Sequence, residues 1–453
     1  MGNPHVVVIP WPAQGHVIPL MEFSLCLVEH GCRVTFINTE FNHNRVMNAF
    51  TERHTIGDQL RLVSVPGLEF HEDKERPAKL TEGIWQFMPQ KVEELMEEIN
   101  SVDGDGITCV VSDQSIGWGL EIAAKMGIPQ AAFFPASALV LALGQSVPKL
   151  IEDGVINCDG IPIEHQMIQL SPTAPAINTK NFPWVRMGNV TMQKATFEIG
   201  FRNREAAEKA DWFFSNSTYD FEPAAFALIP KLIPIGPLVA SNRHGNSAGN
   251  FWPEDQTCLE WLNQQPPCSV IYVAFGSSTI FNQTQFQELA LGLELSNMPF
   301  LWVVRPDGTD GKNDAYPEGF QDRVATQGQI VGWAPQQKVL GHPSVACFLS
   351  HCGWNSTVEG VSNGVPFLCW PYFADQFVNE TYICDVWKIG LGFNPDENGI
   401  ITRKEIKNKV GQLLGDEKFR SRALNLKEMA IDSVKEGGPS HNNFKNFVEW
   451  LKA

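Results

Sequence analysis

The sequence is short of the features that mark several large protein classes. No apolar stretch reaches the ~18 residues that suggest a bilayer-crossing helix, so no integral membrane segment is predicted. No basic cluster stands out, and the formal net charge of −17 argues against nucleic acid or an anionic membrane as a general partner. The ten cysteines, at 26, 32, 109, 158, 258, 268, 347, 352, 369 and 384, lack the C-x-x-C spacing of zinc or thioredoxin-like sites; most are expected to be reduced and partly buried. There is no G-x-G-x-x-G followed by an acidic residue and no G-x-x-x-x-G-K-[ST], which leaves dinucleotide and P-loop readings without support. Met1 leads straight into a strand-like His5 to Ile9 without the charged and long apolar regions of a secretory signal. Position 6 is Val where a myristoylation motif needs Ser or Thr, so a cytosolic chain without a lipid anchor is expected. The sequons at Asn189, Asn216, Asn282, Asn355 and Asn379 are accordingly read as chance matches.

What is present is ordinary globular material in quantity. With 453 residues, 43% hydrophobic and 19% charged, the chain exceeds the ~250–300 residues at which single cores stop growing, and two domains are the default. Apolar His5 to Pro10, a break at Pro12 to Gly15, helical periodicity from Val17 to His30, then Gly31 and the strand-like Arg33 to Ile37 make a βαβ unit. Thr108 to Ser112 and Gln130 to Phe134 read as further short strands on either side of a helix around Trp118 to Met126. The rhythm restarts with the strand Ser269 to Phe275, which ends in Gly276-Ser277-Ser278. A helix from Gln283 to Leu295 and the strand Phe300 to Val304 follow. Such alternation implies α/β domains whose parallel sheets carry helices on both faces.

The polar, Gly-rich Ala240 to Asn250 marks the boundary, giving residues 1–240, a linker at 241–250 and residues 251–439. After a second break at Gly437 to Ser440, a terminal helix from Asn442 to Lys452 carries an apolar stripe of Phe444, Phe447, Val448 and Leu451. Residues 440–453 are therefore expected to pack back on the first domain. Two such domains facing each other would set the carboxyl ends of both sheets around an interdomain cleft, where α/β folds bind ligands.

Chemistry-bearing residues collect at those carboxyl ends. His16 follows the first strand at the opening of a helix; its neutral imidazole can take a proton from an acceptor hydroxyl, or it can be a helix-start histidine with no chemical role. Asp113 closes the Thr108 to Ser112 strand, where it can orient His16 through the far ring nitrogen or cap the next helix. Asp103-Gly-Asp105 matches the D-x-D that holds a divalent ion on a diphosphate, but it lies before its strand in a turn-like run and is read as a turn.

The stretch from Trp333 to Gln376 suits a nucleotide sugar part by part. Trp333 offers a ring for a base, with stacking worth about 1–3 kcal/mol. Ser350 to Gly353 closes a strand and Asn355-Ser356 opens a helix, so backbone N–H groups and the helix dipole favour a diphosphate. Gly353 permits close approach, and His351 adds a donor to neutralise phosphate charge. Glu359, one turn beyond Asn355, can accept from ribose hydroxyls, and Asp375 with Gln376 can read sugar hydroxyls. Each also has a bland alternative: core for Trp333, helix surface for Glu359 and a capped loop for His351.

In order and spacing, these segments resemble the signature box and flanking motifs of plant secondary-product UDP-glycosyltransferases. Pro12 to His16, Val111-Ser-Asp113, Glu260-Trp-Leu262 before Ser269 to Ser277, and Trp333 to Gln376 span nearly the whole chain. The resemblance implies a GT-B fold with two facing Rossmann-like domains, the first binding the acceptor and the second the UDP-sugar. It also implies inverting, metal-independent transfer of glucose from UDP-glucose to a hydroxyl of a small lipophilic acceptor: a flavonoid or other phenolic, a terpenoid or a hormone. The expected product is a β-glucoside, made by a monomer that needs no cofactor.

By position, the resemblance makes His16 the general base and Asp113 its partner. Trp333 would stack on uracil, with Ala334 through its backbone and Gln336 nearby. Ser277, His351, Asn355 and Ser356 would hold the phosphates, Glu359 the ribose, and Trp354, Asp375 and Gln376 the sugar. Gln at position 376 favours glucose over galactose. Asn263 stands where relatives commonly carry Asp, and Pro135-Ala-Ser137 departs from a segment that many relatives place near the sugar. Segments at Leu80 to Gln90, Trp118, Phe134 to Leu143, Asn181 to Phe197 and Phe373 are candidates for the acceptor pocket. Two other readings stay open on the same scaffold: a nucleotide-sugar epimerase or phosphorylase-like enzyme, and an inactive nucleotide-sugar-binding protein.

Overall fold

The computed structural model describes residues 3–49, 59–66, 83–102, 106–239, 248–305 and 316–453. The chain divides into two compact units: Met1–Trp252 with Phe373–Asp375 and Asp432–Ala453, and Pro253–Tyr372 with Gln376–Ile431.

The first unit is built on a parallel sheet whose described strands are β1 (His5–Ile9), β2 (Arg33–Thr39), β3 (Leu60–Val65), β4 (Cys109–Asp113), β5 (Gln130–Phe134), β6 (Trp212–Ser215) and β7 (Ile233–Pro234), in the spatial order β3-β2-β1-β4-β5-β6-β7. Every residue of β1 and β4 is buried, as their unbroken apolar runs require of central parallel strands. Alternation along β1 sends Val6 and Val8 to one face, into a core with Phe23, Phe133 and Phe214. Val7 and Ile9 go to the other, with Val110, Ile116 and Trp118.

The first helix spans Gln14–Glu29 and so begins inside the segment that reads as a break from sequence. A first turn needs no apolar periodicity, and here the Gln14 side chain accepts the Phe251 N–H at 3.3 Å. The described end of the polar linker is likewise packed rather than solvated. Ala248 N–H donates to the Glu22 carboxylate at 3.1 Å, and the Arg45 guanidinium lies 4.2 Å from the centre of the Trp252 ring. Residues 240–247 lie outside the described residues.

The terminal helix runs Pro439–Lys452, three residues longer at its start than the apolar stripe suggests, because Pro at a helix's first position loses no hydrogen bond there. Phe447 meets Phe214 edge-on at 4.8 Å between ring centres, and Phe444 meets Phe23 at 5.7 Å, both within the first unit.

One fully buried carboxylate organises the corner after β5. Glu222 accepts from the Ser137 hydroxyl at 2.5 Å, the Ser217 hydroxyl at 2.7 Å, Ala138 N–H at 3.0 Å and Leu139 N–H at 3.1 Å. It thus caps the helix Ala138–Gln145 from a distant part of the chain. Burial raises its pKa, and the two hydroxyls and two backbone N–H groups pull the other way. Glu222→Ala strands the Ala138 N–H, leaves Leu139 N–H with Ser137 Oγ and opens a cavity, so unfolding in urea is expected to show a loss of about 3 kcal/mol. The same network accounts for Ser137, whose side chain is spent on Glu222 and on the helix start.

The second unit holds a parallel sheet of β8 (Val270–Ala274), β9 (Phe300–Val303), β10 (Gly328–Val331), β11 (Val345–Ser350), β12 (Phe367–Cys369) and β13 (Gly390–Gly392), ordered β10-β9-β8-β11-β12-β13. Its core gathers Ile271, Val273, Leu289, Phe300, Trp302 and Leu349. Several sequons prove to be structural positions. Asn189 and Asn282 cap helices through their side-chain oxygens, while Asn216 and Asn379 are 2% and 0% exposed.

Strand order fixes where ligands can bind. In the first sheet the order reverses between β1 and β4, in the second between β8 and β11, and a crevice opens at the carboxyl edge of such a switch point. Ile9 stands level with Ser112 and Ala274 level with Ser350, so the segments carrying His16 and Asp113 leave the first sheet side by side. Those carrying Ser277 and His351 do the same in the second. Among the described residues, no helix is long and apolar enough to cross a membrane.

Candidate active site

His16 lies in the first turn of the Gln14–Glu29 helix, its side chain 29% exposed, while Asp113 is fully buried at the end of β4. His16 Nδ1 sits 2.7 Å from Asp113 Oδ2, and Ser115 N–H donates to Asp113 Oδ1 at 2.8 Å. The aspartate therefore both pairs with the histidine and caps the turn Gln114–Ile116, so the two contacts are compatible. A carboxylate needs a donor, which puts the ring proton on Nδ1 and a lone pair on Nε2. Asn42, absent from the sequence-based site, is 3% exposed and steadies the preceding turn by donating to the Pro12 carbonyl at 2.9 Å.

Trp118, Trp11 and Trp85 belong to one apolar cluster of this unit, and the Trp11 ring centre lies 6.4 Å from that of His16. Trp118 is 4% exposed, and its buried indole N–H has no hydrogen-bond partner among the described residues. Phe373 is half-buried.

In the second unit, Gln336, Ser356 and Glu359, which are among the residues expected at a nucleotide, share one hydrogen-bonded network. Trp333 is only partly buried. Gln336 donates to Glu359 Oε2 at 2.6 Å and Ser356 Oγ at 2.9 Å, and its oxygen accepts from the Tyr272 hydroxyl at 3.0 Å. Gln337 donates to Glu359 Oε1 at 3.0 Å. Each Glu359 oxygen thus accepts from a glutamine amide. Tyr272 stays a phenol, since burial and the nearby Glu359 charge push its pKa well up. Tyr272 and Gln337 escaped the sequence reading because one looks like strand core and the other like helix surface.

The loop Ser350–Gly353 is held by Ser350 Oγ, which accepts Cys352 N–H at 3.0 Å, and by buried Asn379, which donates to the Cys352 carbonyl at 2.8 Å. A Cβ on Gly276 or Gly353 would come within 2.6 or 2.5 Å of His351 Nε2, so the imidazole fills the space those glycines leave. Burial lowers the His351 pKa to about 4; the Ala274 carbonyl opposes this and the Arg305 charge adds to it. Near pH 7 the ring is neutral in the ligand-free protein. A neutral ring can still act as the hydrogen-bond donor that the sequence suggests.

This depressed pKa has a stability consequence. Between pH 6.5 and about 4 the unfolded chain binds a proton at position 351 that the folded chain refuses, so stability falls as pH falls. Urea midpoints taken across that window should drop more for the native sequence than for His351→Gln.

The family profile for UDP-glucoronosyl and UDP-glucosyl transferases matches residues 203–436. UDP-glycosyltransferase 83A1 of Arabidopsis thaliana is 48% identical over 464 residues, covering 100% of this chain and 98% of its own. The chain belongs to the plant UDP-glycosyltransferase family.

Another relative of this glycosyltransferase, 7-deoxyloganetic acid glucosyltransferase of Catharanthus roseus, is 32% identical over 99% of the chain and 98% of its own. Os79 of O. sativa, solved in complex with UDP, superposes with a TM-score of 0.82 at 27% identity, covering 98% of this chain and 100% of that one. The two Rossmann-like sheets are those of the GT-B fold.

Two of the residues that the resemblance assigns to the sugar are buried. Trp354 is 3% exposed, with its ring centre 6.4 Å from that of Trp387, so the ring has little surface to offer a sugar. Gln376 is 3% exposed and its side-chain oxygen accepts Tyr372 N–H at 2.7 Å, which leaves that oxygen one lone pair at most. Asp375 and Gln376, paired as sugar readers in the sequence, are grouped with different units. Ala334 is buried; Asn355 and Ser277 are half-buried, with Ser277 Oγ 3.4 Å from Ser278 Oγ. Asn263 meets His342 Nε2 at 3.1 Å. Asp103 and Asp105 lie outside the described residues, as does the start of the Leu80 to Gln90 segment.

Proposed function

We propose that this glycosyltransferase moves glucose from UDP-glucose to a hydroxyl of a small lipophilic plant metabolite, such as a flavonoid or other phenolic, a terpenoid or a hormone, with inversion to a β-glucoside. The observation that carries the reading is the His16–Asp113 pair, 2.7 Å apart, with the ring lone pair on Nε2. Nε2 takes the acceptor's hydroxyl proton as the oxygen attacks the anomeric carbon. The bond from that carbon to the diphosphate oxygen breaks, and UDP leaves with the electron pair. Asp113 steadies the imidazolium that forms, so no covalent intermediate is needed.

On the donor side, Trp333 stacks on uracil with Ala334 beside it, and Glu359, aligned by Gln336 and Gln337, takes the ribose hydroxyls. Ser277, His351, Asn355 and Ser356 hold the phosphates with the start of the helix Trp354–Ser362. Leaving-group charge is met by these donors, and the proposal includes no metal or cofactor. Asp375 and Gln376 contact the sugar, and Gln376 supports glucose. The aromatic cluster of Trp11, Trp85 and Trp118 suits an apolar acceptor. The name of the Catharanthus roseus relative, which glucosylates 7-deoxyloganetic acid, supports an acceptor of this kind. A monomer working in the cytosol completes the proposal.

The test is a competition between UDP-glucose and UDP-galactose over a panel of phenolic, flavonoid, terpenoid and hormone acceptors. Glucosides should dominate on at least one acceptor class. A clear preference for galactose, or nucleotide binding without turnover on any acceptor, would contradict the proposal.

A further inference from the structure

Arg305 took no part in the sequence reading, yet it stands behind the donor loop. It lies two residues past β9 and is 6% exposed. Its Nη1 donates to the Gly276 carbonyl at 2.5 Å and its Nη2 to the Thr279 carbonyl at 3.3 Å. Both carbonyls belong to the turn that follows β8 and carries Ser277. In a trans peptide the C=O and the next N–H point in opposite directions, so fixing the Gly276 carbonyl on Arg305 turns the Ser277 N–H away from it. Gly276 has φ +67°, and the space its missing Cβ leaves is filled by His351 Nε2. One residue therefore links the guanidinium to the imidazole: its carbonyl meets Arg305 and its bare Cα meets His351.

We propose that Arg305 is a positioning residue for the donor diphosphate, locking the carbonyl side of the Gly276–Thr279 turn so that its N–H side and Ser277 are preset for the phosphates. The proposal rests on the UDP-sugar reading of the site. Arginine suits the task better than lysine, because its planar fork can hold two carbonyls at once. A turn left free would have to be ordered each time the donor bound, and that cost would appear only with ligands carrying phosphates.

The experiment compares binding of UDP and of uridine to the native protein, Arg305→Met and Arg305→Lys, by calorimetry, with thermal unfolding recorded for each. Uridine shares the base and ribose contacts but lacks the diphosphate. Arg305→Met should weaken UDP roughly ten- to hundredfold while uridine stays within about twofold, and Arg305→Lys should recover part of the loss. If Arg305→Met does not fold, Arg305→Lys carries the same comparison, with a smaller loss for UDP alone. Equal weakening of both ligands, or unchanged UDP binding, would overturn the role of Arg305. Native protein that binds neither ligand would instead overturn the UDP-sugar reading.

Discussion

His16→Ala is expected to lower kcat/KM for an ordinary alcohol or phenol by about 10²–10⁴-fold, the range that a positioned general base supplies. The variant should still fold, because the side chain is 29% exposed in a first helical turn. A cost of about 1–3 kcal/mol is expected from the partner lost by buried Asp113. UDP binding should be unchanged, since the residues assigned to the nucleotide lie in the other unit. The loss should also shrink with acceptor acidity, because a phenol that is already ionised needs no base. A rate near that of the native protein on a weakly acidic alcohol would remove His16 from the mechanism.

The second large effect is expected at Asp113, and its direction follows from two hydrogen bonds. In Asp113→Asn the amide has one oxygen and one nitrogen to place. Ser115 N–H, 2.8 Å from Oδ1, requires the oxygen, so the NH2 faces His16 Nδ1 where Oδ2 stood at 2.7 Å. An NH2 there selects the tautomer with its lone pair on Nδ1 and its proton on Nε2, and that ring cannot take a proton from the acceptor. The expected loss in kcat is about 10³-fold, comparable to removing the histidine. Asp113→Ala, which leaves the tautomer free, should be no worse. Steady-state kinetics on the two variants decides the point: native-like turnover in Asp113→Asn would reduce Asp113 to its capping role.

Much of the scaffold was legible because buried parallel strands announce themselves. The runs at His5 to Ile9 and Ser269 to Phe275, each followed by Gly and a helical pattern, marked two central parallel strands, while the strand order that makes switch points of them came only with the fold. Element starts were less legible. Gln14 and Pro439 open helices without apolar periodicity, because a first turn answers to capping and to the neighbouring chain. Within the site, residues with distinctive chemistry at strand ends, such as His16, Asp113 and His351, could be picked out. Residues that act by bonding to those could not. Tyr272 reads as core, Gln337 as surface, Asn42 as an ordinary helical polar residue and Arg305 as a strand end, and only folding brings each to its partner. The neutral state of His351 was equally hidden, since its cause is burial, in part against Gly276, which is distant in sequence.

The central claim is coupled transfer: one acceptor hydroxyl glucosylated for each UDP released, with inversion. Proton NMR of a single reaction with UDP-glucose and a phenolic or terpenoid alcohol that proves active follows both products at once. The account predicts UDP and β-glucoside appearing in equal amounts from the first time point. An α-glucoside, or UDP accumulating beside free glucose without glycoside, would contradict it.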